Sequence, residues 1–273
     1  MSVWINGRPG RQIDHRDRGL QYGDGVFETC KIVDGSPFAL SRHLRRLARS
    51  AQVLGLAAPD PDLVRAGVGR LLDSVAPLAF GRLRIMLTGG PGPLGSDRAD
   101  VPPTLVLAVS GASRWPERIA AVTVPWARNE LSAVAGAKTT SYAENVVGLR
   151  RAHQQGAHEA LMPNTRGMLC EGTGSNVVLE RGGTLVTPAL SAGCLAGITR
   201  ELFLEWAAEE ALPVVEGDVS MAELAVAPEV LLTSSTRDVQ HVSILDGRDL
   251  PGSPLGKAAV DLFVRRAAER VDP

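Results

Sequence analysis

Apolar and polar residues alternate along positions 25–33, the period-two pattern of a half-buried strand. Upstream, Val3-Trp4-Ile5 runs into Asn6-Gly7, a dipeptide that accepts the positive φ angles of a tight hairpin turn. Leu44, Leu47, Ala48, Ala51 and Leu54 recur at helical spacing, with Ser41 placed to cap that helix. Positions 59–75 predict a second helix, and 82–88 and 104–109 read as buried strands. Strands and helices mix over the first 110 residues, which predicts a small α+β domain. Positions 110–116, Ser-Gly-Ala-Ser-Arg-Trp-Pro, are polar, small and proline-terminated, the best candidate linker. Beyond it short strands are expected at 122–125, 159–162, 177–180 and 185–187, with turns at 164–167 and 181–183. Helices are expected at 144–155, 199–211 and 255–270. The expected organisation is therefore a domain over 1–110, a linker over 111–117 and a larger, strand-rich domain over 118–273.

A chain of 273 residues can bury cores of that size. Its net charge of −1 implies no basic face for nucleic acid. No apolar run is long enough to span a bilayer, and the first residues read as strand and turn rather than a secretion signal. Cys30, Cys170 and Cys194 are odd in number and far apart, which suits neither a disulfide framework nor a metal site. A reducing cytoplasm is the simple expectation.

Chemistry concentrates in a few segments. Lys138 lies among small residues in Gly136-Ala137-Lys138-Thr139-Thr140-Ser141-Tyr142, and Glu171 opens a Gly/Ser/Thr/Asn loop, Glu171-Gly172-Thr173-Gly174-Ser175-Asn176. A pyridoxal phosphate enzyme needs both: an amine to condense with the cofactor aldehyde and a carboxylate to keep the pyridine nitrogen protonated. Residues 17–29 are dense in glycine and charge, suiting either a ligand-hugging turn or an ordinary turn before a strand. Arg46 on the first helix can fork a phosphate, but Arg42, Arg45, Arg46 and Arg49 can equally form a solvated face. Gly193 to Arg200 places glycines before a helix start; Ile198 and Thr199 can line a phosphate cup, or Thr199 can simply cap its helix. Ser235 and Thr236 follow a buried run and can offer hydroxyls to an anion, or form a plain turn.

Together these segments resemble the class IV, fold type IV pyridoxal phosphate enzymes, over nearly the whole chain. Residues 17–28 are similar to the family's D-R-G…G-D-G-x-F-E element, and His43 to Leu47 to its H-x-x-R-L, whose arginine binds the cofactor phosphate. Glu171 to Asn176 matches its E-G-x-x-x-N, and Gly197-Ile198-Thr199-Arg200 its G-I-T-R cup. The resemblance implies an α+β fold of two domains, pyridoxal 5'-phosphate as cofactor and Lys138 as the Schiff-base lysine and catalytic base. It assigns Arg46, Ile198, Thr199, Ser235 and Thr236 to the phosphate, Glu171 to the pyridine nitrogen and Tyr142 to the cofactor's phenolic oxygen; Tyr142 can also be a core aromatic. A homodimer acting on amino acid and keto acid substrates is implied as well.

The reaction within the family is less determined. Bacterial D-amino acid aminotransferases carry tyrosine where Phe27 stands and an R-x-H pair after the 82–88 strand, and residues 88–98 hold no such pair. Phe27 and Thr29 match the 4-amino-4-deoxychorismate lyases, which release pyruvate and 4-aminobenzoate. Arg237 and Arg98 are the candidate cations for a substrate carboxylate. Transamination of a D-amino acid or related amine is the leading expectation, with the lyase second. A non-catalytic phosphate- or nucleotide-binding protein would need neither Lys138 nor Glu171.

Overall fold

The computed structural model describes residues 1–273, and the chain divides into two compact units. The first comprises Met1–Arg114, Ala137–Tyr142 and Asp272; the second comprises Trp115–Gly136, Ala143–Val271 and Pro273.

The first unit is built on one antiparallel sheet. Its strands are β1 (Ser2–Ile5), β2 (Arg8–Pro9), β3 (Gly25–Val33), β4 (Ser36–Pro37), β5 (Phe80–Thr88) and β6 (Thr104–Gly111). They lie in the order β2-β1-β6-β5-β3-β4. The helices are α1 (Arg18–Tyr22), α2 (Leu40–Val53) and α3 (Pro61–Asp73). The expected alternation decides which side chains of the sheet go inside: Val26, Cys30 and Ile32 of β3 join Leu83, Ile85 and Leu87 of β5. Against them α2 sets Leu44, Leu47 and Ala51, and α3 sets Val64, Val68 and Leu71. β6 continues through Ser110 and Gly111, which pair with Arg82 and Gly81, so the start of the expected linker is strand. Ser41 does not cap α2. The helix begins two residues earlier, at Leu40 after Ala39 in the left-handed region, and Asp272 receives the Ser41 N–H at 2.8 Å. α3 starts later than its apolar pattern suggests, because Asp60 caps it by accepting the Asp62 N–H.

The lysine segment belongs to this sheet. β4 covers only the end of β3, through Ile32 and Val33. Beside the start of β3 the Phe27 N–H donates to the Lys138 carbonyl at 2.9 Å, and the Thr140 N–H to the Gly25 carbonyl at 2.8 Å. Gly23, at φ 64°, leaves room for this segment: a Cβ there would stand 2.5 Å from Ser141 Oγ.

The second unit stacks two five-stranded sheets. It contains β7 (Ala120–Thr123), α4 (Ala143–Gln154), β8 (Glu159–Pro163), β9 (Leu169–Gly172), β10 (Asn176–Arg181) and β11 (Thr184–Pro188). It continues with α5 (Ile198–Glu209), β12 (Val214–Gly217), α6 (Met221–Val226), β13 (Val230–Ser234) and β14 (Asp238–His241). The last elements are β15 (Ile244–Leu245), β16 (Arg248–Asp249) and α7 (Pro254–Glu269). The sheet orders are β12-β11-β10-β13-β14 and β16-β15-β7-β8-β9. Leu161 and Leu169 of one sheet share a core with Val177, Leu179, Val230 and Leu232 of the other. All three cysteines are buried and free, and no helix is long and apolar enough to cross a membrane.

Candidate active site

In the first unit, the backbone bond from Phe27 fixes Lys138 beside β3, and the Lys138 N–H donates to Ser50 Oγ at 3.1 Å. Its amine lies over the Phe27 ring, 4.5 Å from the centroid, and 5.5 Å from that of Tyr142. The two rings meet edge to face at 5.2 Å. Arg84 shares this ring: its guanidinium carbon is 4.2 Å from the Phe27 centroid. No carboxylate of the protein pairs with Arg84, and burial lowers its pKa from the ordinary arginine value. Thr29 stands directly opposite Arg84 in the β3–β5 register and is half-buried.

Glu28 points to the opposite side of β3 and is fully buried. Arg46 Nε donates to its Oε1 at 2.8 Å and Nη2 to its Oε2 at 2.6 Å, while His43 Nδ1 lies 2.7 Å from Oε2. Burial works to raise the Glu28 pKa, but Arg46 and then His43 outweigh it and hold the carboxyl down at about 2. For His43 burial dominates and lowers the pKa, so the ring is neutral at pH 7 and serves Glu28 as an N–H donor. Arg46 is thus no part of a solvated face; of the four arginines of α2, only Arg45 and Arg49 are exposed.

The glycine-rich element around Asp17 works as a clasp. Asp17 caps α1 through the Gly19 N–H and accepts the Thr88 hydroxyl at 2.9 Å. Buried Arg18 donates to the carbonyls of Gly95, Ser96 and Asp97 at 3.0, 2.8 and 2.7 Å. Arg98, read from sequence as a substrate cation, instead clamps Asp24 with Nε at 2.8 Å and Nη2 at 2.5 Å, and reaches the Gly55 carbonyl through Nη1. Binding a substrate would require it to give up that pair.

In the second unit, Glu171 lies in β9, opposite Met162 of β8. Its Oε2 accepts the Leu195 N–H at 2.9 Å. Arg128 Nε is 3.4 Å from Oε1, close enough for charge attraction but without hydrogen-bond geometry. Asn176 donates to the Leu195 carbonyl at 2.8 Å. Two residues on, Gly197 is the N-cap of α5, and no side chain caps that helix. Thr199 is therefore inside the first turn, so the capping role weighed for it does not hold. The dipole end and first N–H groups of a twelve-residue helix face no capping oxygen. A Cβ on Gly197 would stand 2.0 Å from Asn176 Oδ1, so only glycine permits this approach. α5 packs on β13, which leads into Ser235 and Thr236; the Thr236 hydroxyl accepts from Trp115 Nε1 at 3.2 Å. Arg237 is buried. Its guanidinium stacks on Trp115 at 3.4 Å, donates to Gln240 at 3.0 Å and the His158 carbonyl at 3.1 Å, and lies 3.7 Å from Glu159.

The sequence singled out neither Arg84 nor Glu159 and gave Glu28 no role. Alternation does place Arg84 on the face of β5 away from Leu83 and Ile85, but its closeness to Phe27 needs the strand register.

A family profile described as amino-transferase class IV matches residues 25–245. The chain is similar to a bifunctional aminodeoxychorismate lyase / D-amino acid transaminase of Mycobacterium tuberculosis, 31% identical over 96% of this chain and 97% of that protein. It is also similar to a putative branched-chain-amino-acid aminotransferase of Methanocaldococcus jannaschii, 30% identical over 94% of this chain and 92% of the other. Among solved structures, the branched-chain aminotransferase from Thermoproteus uzoniensis with norvaline superposes with a TM-score of 0.91, at 25% identity, over 98% of this chain and 95% of that one.

Proposed function

We propose that this chain, which belongs to the class IV aminotransferase family, moves an amino group between a D-amino acid or related amine and a 2-keto acid. The family depends on pyridoxal phosphate, and solved relatives include forms bound to it. The residues present fit that cofactor. A carboxylate fixed by the Leu195 N–H suits a protonated pyridine nitrogen, and the uncapped α5 start that only Gly197 permits suits a phosphate dianion. Bound, the cofactor supplies a carbonyl that condenses with amines and a ring that draws electrons from the substrate's α-carbon.

The chain's own residues then have distinct tasks. Lys138 Nζ removes and returns the proton at the substrate's α-carbon. Glu171, beside Arg128, would hold the proton on the pyridine nitrogen. The α5 start at Ile198 and Thr199 would hold the cofactor phosphate, with hydroxyls from Ser235 and Thr236. Arg46, held through Nε and Nη2 by Glu28, is the arginine that the His43–Leu47 motif would give to a cofactor phosphate. Tyr142 would serve the phenolic oxygen.

The observation that carries the substrate reading is the Phe27 ring with Lys138 Nζ at 4.5 Å and the Arg84 guanidinium at 4.2 Å. A cation without a protein carboxylate, one ring from the reacting amine, suits the carboxylate of an amino acid. Arg84 takes the task that the sequence gave to Arg98 and Arg237. The relative from Mycobacterium tuberculosis carries both activities in its name, which supports D-amino acid transfer without ranking it above the lyase. The lyase is the second reading, favoured by the Thr29 hydroxyl opposite Arg84, a proton donor for departing pyruvate. Pyruvate release separates them: the enzyme should form it from D-alanine only when 2-oxoglutarate is present. Release from aminodeoxychorismate alone, with none from D-alanine, would make the lyase the function.

A further inference from the structure

We propose that Glu159 is the positioning residue that sets where Glu171 and the Ser235-Thr236 turn stand. The proposal rests on the reading that Glu171 serves the cofactor's pyridine nitrogen.

Glu159 opens β8 with its side chain only 2% exposed. A buried carboxylate is costly unless donors and charge surround it; besides the adjacent Ala160 N–H at 3.2 Å, these come from two particular places. Thr173 gives both its N–H, at 2.9 Å, and its hydroxyl to Oε1. Ser175 gives its hydroxyl to Oε2 at 2.9 Å. Both lie in the loop that leaves Glu171. The remaining cation is Arg237, 3.7 Å from Oε2, in the residue after Thr236. One carboxylate thus ties together two segments assigned to the cofactor.

The loop has little freedom elsewhere. A Cβ on Gly172 would meet Ser175 Oγ at 2.6 Å and Glu159 itself at 3.1 Å, so the loop lies directly on the carboxylate. It ends at Asn176, which donates to the Leu195 carbonyl, while the Leu195 N–H returns to Glu171. Glu171, its loop, Asn176 and Leu195 form a closed circuit, and Glu159 pins the loop side of it. Strand β8 does not need this carboxylate, because its ladder to β7 and β9 is backbone. The side chain acts on orientation, as the outer partners of metal ligands do.

Glu159→Gln and Glu159→Ala test this in the whole enzyme, against Glu171→Gln. Three quantities are read: pyridoxal phosphate affinity, the pH profile of the bound cofactor's absorbance, and melting of the apoprotein. Gln keeps an acceptor for Thr173 but loses the charge facing Arg237. Glu159→Gln should melt near the parent, yet bind cofactor about tenfold more weakly and shift the absorbance profile in the direction seen for Glu171→Gln. Glu159→Ala should do more of the same. A folded Glu159→Gln with affinity within twofold of the parent and an unmoved profile overturns the proposal, whether or not Glu159→Ala folds. If Glu171→Gln also leaves the profile unmoved, the assignment of Glu171 to the pyridine nitrogen is what has failed.

Discussion

Arg46 grips Glu28 with two prongs, Nε to Oε1 at 2.8 Å and Nη2 to Oε2 at 2.6 Å, and neither side chain is more than 5% exposed. A pair this deep stabilises less by its own attraction than by the cost of breaking it. Arg46→Ala leaves a buried carboxylate without its cation, which costs roughly 3–5 kcal/mol. Urea unfolding of the apoprotein should show that loss before any cofactor is added. Lysine should not restore it, because it lacks the planar fork. Unchanged apoprotein stability would mean that Arg46 matters only to the phosphate.

The same cluster sets an acid limit. Glu28 holds its proton off until about pH 2 when folded, against 4.5 for the free side chain. Its contribution is therefore complete above pH 4.5 and is lost as pH falls towards 2, an effect of roughly 3 kcal/mol. His43 acts in the same sense: its folded pKa lies below 6.5, so protons favour the unfolded chain from about pH 6.5 downward. Urea midpoints should decline from pH 7 to pH 5 and more steeply below. Glu28→Gln should flatten the lower part, and an unaltered acid slope in that variant would contradict the assignment.

The elements were legible where pattern and packing agree. β3, β5 and the face of α2 follow from period-two and helical spacing, since one side of each is core. β9 and β14 escaped because Leu169-Cys170-Glu171-Gly172 and Asp238-Val239-Gln240-His241 are only four residues long, and their polar residues break the pattern. The α6 capping box is legible in the sequence as Ser220 with Glu223 three residues on. Lys138, Glu171 and the α5 start were visible as motifs. Arg84 was not, because its meaning depends on a register between strands more than fifty residues apart. Arg98 and Arg237 looked like substrate cations for the opposite reason: composition shows a charge and hides its internal partner, Asp24 for one and Glu159 for the other.

Arg84 and Arg237 should behave differently on truncation. Arg84→Ala should lower kcat/KM for D-amino acids about ten- to hundredfold, the value of a charge-assisted contact, and spare 1-phenylethylamine if that amine reacts. An equal loss for both substrate types would assign Arg84 to the fold.

Arg237→Ala removes a buried, stacked guanidinium and leaves Glu159 short of a cation. Its first effect should be on stability, by roughly 2–4 kcal/mol in thermal or urea unfolding. Any catalytic loss should be alike for carboxylate and amine substrates. A stable variant with raised KM only for carboxylates would return the substrate role to Arg237.

The central assignment is amino transfer at Lys138, and following the nitrogen tests it most directly. D-alanine labelled with ¹⁵N is incubated with the enzyme and unlabelled 2-oxoglutarate, and the glutamate formed is analysed by mass and chirality. The label should appear in D-glutamate, one for each pyruvate released, and Lys138→Ala should lower that rate by several orders of magnitude. Pyruvate without labelled glutamate, or near-normal transfer by Lys138→Ala, would contradict the assignment.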